Sequence, residues 1–173
     1  MESQSKNETD KAIKFRHRYK PLLVIIATIA FSAAALALVD SRMHRFMETF
    51  MGLFLVNFAM FKLIDLHGFA DGFSMYDLIA KRSHKYALAY PFIELGLGLF
   101  YLTAFVPVVT NTLTLIIMLI GGLGVMKSII TGDKHLKCAC LGTTLNVPLS
   151  TVSIIENLGM AAMAGVMLWM GFR

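Results

Sequence analysis

Cys138 and Cys140 stand one residue apart in the run Lys134-His135-Leu136-Lys137-Cys138-Ala139-Cys140-Leu141-Gly142. Neighbouring cations favour thiolate over thiol, and thiolate is the form that attacks a disulfide or binds a soft metal. Two kinds of chemistry are therefore open. The pair can cycle between dithiol and disulfide; a ring closed across a single residue is small and strained, hence comparatively easy to reduce. Alternatively the two thiolates, joined by His135, can hold Cu(I), Hg(II) or Zn(II). Two inert side chains at a helix entrance are the plain third reading.

Methionine bears on the metal reading, because the chain has 12 and several are ordered. Met43, Met47 and Met51 recur every fourth residue beside His44, and Met160, Met163, Met167 and Met170 fall on one helical face. Thioethers suit Cu(I), although a methionine stripe at helical spacing commonly fills irregular gaps between helices. Polar groups within apolar runs raise a further question, since in lipid they need a partner or a wet cavity. They are Glu48, Asn57, Glu94, Glu156 and Asn157. Glu94 is the deepest and follows Pro91, whose ring frees a carbonyl in the preceding turn, so its carboxyl can organise a polar pocket or carry a proton. Glu156 lies near a helix start and reads equally as a solvated terminal acid. Lys62 and Asp65 end a helix, where pairing or snorkelling accounts for them.

The elements that must position these groups are membrane helices. Hydrophobic residues make up 57% of the 173-residue chain, and mean hydropathy is +0.67. That excludes an ordinary soluble globule, and two cysteines exclude a disulfide-stapled secreted module. The pattern predicts an all-α polytopic bundle with spans at 22–39, 46–64, 86–106, 108–130 and 152–172, each of spanning length. Residues 1–21 form a basic tail, 46–172 the membrane core, and 131–150 the cysteine loop. Ala35-Leu36-Ala37 resembles a signal-peptidase site, but the long charged lead and long apolar run favour an uncleaved anchor. Phe105-Val106-Pro107 makes a tight turn. Within 67–85, Phe69, Phe73 and Tyr76 recur at helical spacing beside Lys81, Arg82 and Lys85, which suits a short interfacial helix. Small residues at Ala30/Ala34, Gly68/Gly72, Gly96, Gly98 and Ala161/Gly165 permit close helix packing.

The formal net charge of +5 is spread along helix ends without an aromatic-interleaved basic face, which sets nucleic acid aside. With five crossings, thirteen of the sixteen Lys and Arg residues fall on one side, and Arg42, Arg45 and Arg173 on the other. The asymmetry predicts a cytoplasmic N-terminus, an outward C-terminus and a cytoplasmic cysteine loop in a bacterial inner membrane. Trp169 then falls near the outer interface, where an indole is comfortable. No hydrolase, kinase or dehydrogenase motif occurs.

From about Phe46 to Leu168 the chain resembles the MauE/DoxX group of redox-associated membrane proteins. The marks are Phe61-Lys62-Leu63, Tyr76-Asp77-Leu78, Pro91-Phe92-Ile93-Glu94-Leu95-Gly96-Leu97-Gly98-Leu99 and Cys138-Ala139-Cys140-Leu141-Gly142. The MauE cysteine segment resembles Cys-Gly-Cys-Phe-Gly; here Ala139 and Leu141 replace the glycine and the aromatic residue. The resemblance implies a four-helix core, to which the first helix is an addition. It further implies a role in thiol redox and in maturation of an exported enzyme with a thioredoxin-like partner, methylamine dehydrogenase in the namesake system. Cys138 and Cys140 are then the exchanging thiols and Glu94 shapes an adjacent intramembrane pocket. The rival reading is a carrier that receives soft metal from a metal chaperone at His135, Cys138 and Cys140, with Met43, Met47 and Met51 as further ligands. A structural subunit with incidental cysteines is the third.

Overall fold

The computed structural model describes residues 20, 22–38, 43–130 and 149–171. Six helices follow in order: α1 (Leu22–Leu38), α2 (Met43–Ile64), α3 (Leu66–Ser74), α4 (His84–Thr103), α5 (Pro107–Ile130) and α6 (Leu149–Gly171). There is no strand among the described residues. The runs His44–Ile64, His84–Thr103 and Pro107–Ser128 are long and apolar enough to cross a membrane. The 23 residues of α6 extend about 34 Å, also enough for the hydrocarbon layer. Exposed side chains such as Phe92, Leu99, Leu113, Leu119 and Leu123 are apolar, as a lipid-facing surface requires. The protein is a helical membrane bundle.

Two layers of contact organise it: α2 packs along α4, and α5 along α6. The main core joins Met51, Phe54, Leu55 and Phe58 of α2 to Leu97 and Tyr101 of α4, Met118 of α5, and Met160 and Met167 of α6. Leu22 and Ile29 bring α1 into the same cluster. On α1 it is Ala33 that is buried, whereas Ala34 faces outward.

The helix ends have local causes. Ser83 caps α4 by accepting the Tyr86 N–H at 3.4 Å. Pro107 opens α5 one residue earlier than expected, because proline costs nothing at a first helical position. The turn between α4 and α5 takes up Ala104 and Val106, both with positive φ (51° and 47°). A left-handed β-branched residue such as Val106 is strained, and it is held because the Phe105 N–H bonds back to the Phe100 carbonyl at 3.0 Å.

The segment between α2 and α4 contains the short helix α3. Its helical part stops at Ser74, and Phe69, Phe73 and Tyr76 are buried. Phe73 lies 4.5 Å from the Tyr90 ring and 5.5 Å from that of Tyr76, centroid to centroid, so the aromatic face docks on α4. Asp77 then holds the return by accepting the N–H groups of Ile79 and Ala80 at 2.9 and 2.8 Å. Gly124 of α5 leaves room for this return, since a Cβ there would lie 2.8 Å from the Tyr76 carbonyl oxygen.

Candidate functional site

A helix that faces a core on one side buries residues three and four apart, and three of these stripes include a charge. On α2 the buried face runs Met51, Leu55, Phe58, Lys62; on α4, Ala87, Tyr90, Glu94, Leu97, Tyr101; on α6, Glu156, Met160, Ala164, Met167. The stripes converge. Lys62, Glu94 and Glu156 are 2%, 0% and 3% exposed. The Lys62 ammonium donates to both oxygens of Glu94, at 2.5 and 2.6 Å, and to Oε1 of Glu156 at 3.2 Å.

Aromatic rings close the centre. Lys62 Nζ lies 5.6 Å from the Phe69 centroid and 5.2 Å from that of Tyr90, both within cation–π range. Asp65, three residues past Lys62, does a different job: it caps α3 by accepting the Gly68 N–H at 3.0 Å. That cap turns the chain so that Phe69 roofs the ammonium. Lys62 therefore does not snorkel and does not pair with Asp65. Its stem ends against two buried carboxylates, which offer an ion in a low-dielectric interior far more than a lone surface acid would. Glu156 likewise is not a solvated terminal acid: it is buried, and Lys62 of α2 reaches it.

The centre has a definite position along the bundle. It lies near the end of α2, at the middle of α4 and in the second turn of α6, hence in the half of the bundle where α5 ends and α6 begins. Glu156 is about 10 Å along α6 from Leu149.

The model of the family described as methylamine utilisation protein MauE matches residues 40–170. The chain belongs to the MauE family. The match takes in Lys62, Glu94 and Glu156 together with Cys138 and Cys140, and leaves α1 outside. No individual curated protein and no solved structure matches the chain.

Of the other residues singled out in this MauE protein, His135, Cys138 and Cys140 lie outside the described residues. Met51 is fully buried in the main core and Met47 packs against it; Met43 opens α2, and its side chain is outside the description. Met160, Met163, Met167 and Met170 all belong to or pack on the same core. No group of three His, Cys, Asp or Glu is arranged to hold a metal among the described residues. Glu48 is buried at the opposite end of the bundle, with His44 Nδ1 at 3.3 Å and Arg45 Nη1 at 3.4 Å. Asn57 donates back to the Leu53 carbonyl at 2.8 Å, and Asn157 is buried against Gly121, where a Cβ would meet its Oδ1 at 2.9 Å. A further polar contact joins the Tyr101 hydroxyl to Asn111 Oδ1 at 2.8 Å, tying α4 to α5 near their turn.

Proposed function

We propose that this chain is a MauE-type membrane protein that supports disulfide exchange with, or maturation of, a partner protein, with Cys138 and Cys140 as the exchanging thiols. In that exchange one thiolate attacks a disulfide sulfur of the partner and expels a partner thiolate. The second cysteine then attacks the mixed disulfide, leaving a Cys138–Cys140 disulfide and a reduced partner; the reverse sequence oxidises the partner. Lys134 and Lys137 favour the thiolate. A thioredoxin-like protein is the partner class proposed, and by resemblance the end product is an exported enzyme of methylamine utilisation.

The observation that carries this reading is the buried Lys62–Glu94–Glu156 centre on α2, α4 and α6. It gathers ionisable groups in the half of the bundle where α5 ends and α6 begins, the two helices that flank the cysteine segment in sequence, and Glu156 follows Cys140 by sixteen residues. Charged groups buried in a membrane bundle mark ion paths and functional pockets far more often than scaffolding. Glu94, which takes both short bonds from Lys62, is assigned the role of shaping that pocket. The location proposed is a bacterial cytoplasmic membrane.

The test is thiol mapping in intact cells and spheroplasts with a membrane-impermeant reagent, before and after reduction, with and without a soft-metal chelator. Labelling that rises after reduction, together with a trapped mixed disulfide in Cys140→Ser, supports exchange. Full exchange activity in Cys140→Ser overturns it. Thiols protected until the chelator is added replace it with soft-metal handling.

A further inference from the structure

The Lys62–Glu94–Glu156 centre holds one ammonium against two carboxyl groups. With all three groups ionised its charge is −1, and that charge is sealed under Phe69 and Tyr90 rather than shared with water. A net charge in such a place is costly, whereas a neutral cluster is not. The two carboxyls also differ in their partners. Glu94 receives both short bonds from Lys62. Glu156 receives the longer bond on Oε1 alone, while Oε2 is buried with no hydrogen-bond partner among the described residues. An anionic oxygen without a donor is the expensive case; the same oxygen bearing a hydrogen is a neutral hydroxyl.

We infer that the Glu94–Glu156 pair binds one exchangeable proton inside the membrane, with Lys62 as its fixed counter-charge. Uptake adds a proton from water to a carboxylate oxygen and takes the cluster from −1 to 0; release returns it to −1, and no electrons move. The proton belongs to the pair: Lys62 donates to both oxygens of Glu94 and to one of Glu156, and the other Glu156 oxygen has no donor among the described residues. The other groups facing the site are Tyr86 and Tyr90 on α4, with Asp77 acting on Tyr86 from the preceding turn, while Lys127 in the last turn of α5 is exposed. The inference stands on this geometry and does not involve the thiols.

Infrared spectroscopy of the full chain in lipid nanodiscs at neutral pH reads the carboxylic-acid carbonyl band directly. The wild type shows such a band, and it shifts in D2O. Charge counting fixes the variants: Glu156→Gln and Glu94→Gln each leave one cation and one carboxylate and lose this component, whereas Lys62→Met leaves two carboxyls with no cation and doubles it. No carboxylic-acid band in the wild type overturns the proposal without recourse to any variant, as does a band that fails to shift in D2O. Equal band intensity in the wild type and a helical, monodisperse Glu156→Gln chain also overturns it, by assigning the signal to another buried acid such as Glu48 or Asp77.

Discussion

Removing the lysine should separate the two halves of the ion centre's energetics. Desolvating three ionisable groups is costly, and their mutual attraction offsets that cost only while all partners are present. Lys62→Met is therefore expected to destabilise the bundle by about 3–5 kcal/mol, because both carboxyls must then take up protons to stay buried. Adding Glu94→Gln and Glu156→Gln to it should recover most of the loss, because the amides are buried neutral without having to take up a proton. Chemical unfolding of the reconstituted chain checks both; a triple variant no more stable than Lys62→Met would mean that the lysine's packing, not its charge, matters. Glu94 was legible in the sequence as an acid deep in an apolar run. Lys62 and Glu156 lie near helix ends, and distance from a helix end does not give depth in the bundle. The better signal was register: Lys62 continues the Met51, Leu55, Phe58 stripe, and Glu156 begins the Met160, Ala164, Met167 stripe. Register says that a charge points inward, but only the packing of α2, α4 and α6 says what it meets.

Where two helices cross closely, glycine is required on both sides, and α2 and α4 show it at Gly52 and Gly98. A Cβ on Gly98 would lie 2.8 Å from Val56 Cγ2 and 3.0 Å from the Gly52 carbonyl oxygen, which cannot step aside without moving the helix. Gly98→Ala should cost about 1–3 kcal/mol, as overpacking does. Gly96, two residues away, has open space where its Cβ would be, so the two glycines do not share the close approach that their spacing suggested. Gly96→Ala should instead gain roughly 0.5–1 kcal/mol from helix propensity. Paired melting curves of the two variants test the crossing itself, and equal effects would contradict it. The same contrast explains what could be read at this scale. Long apolar runs reveal spanning helices because lipid leaves the backbone few alternatives. The stripe Phe69, Phe73, Tyr76 could not reveal its own neighbours, since an aromatic face suits a lipid headgroup region and a neighbouring helix equally well; in the structure Phe73 meets the Tyr90 ring of α4.

The whole bundle has two unlike ends. One gathers the end of α2, the start of α4, the end of α5 and the start of α6 with the exposed Lys81, Arg82, Lys85 and Lys127, and the buried ion centre lies between it and the middle of α4; the other carries the turn between α4 and α5 and the Glu48 cluster. Basic residues resist translocation, so the first end should face the cytoplasm. Two exposed positions bracket the span of α4: Arg82, just before it, and Phe105, just after it. With Cys138 and Cys140 replaced by serine, Arg82→Cys and Phe105→Cys each present a single thiol. An impermeant maleimide applied to intact spheroplasts should label Phe105→Cys alone, and Arg82→Cys only after the membrane is opened. Labelling of both from the same side would contradict α4 as a span. Labelling of Arg82→Cys alone would keep the bundle but invert it, placing the ion centre and the cysteine segment at the outer face, where an exported partner would meet them without crossing the membrane.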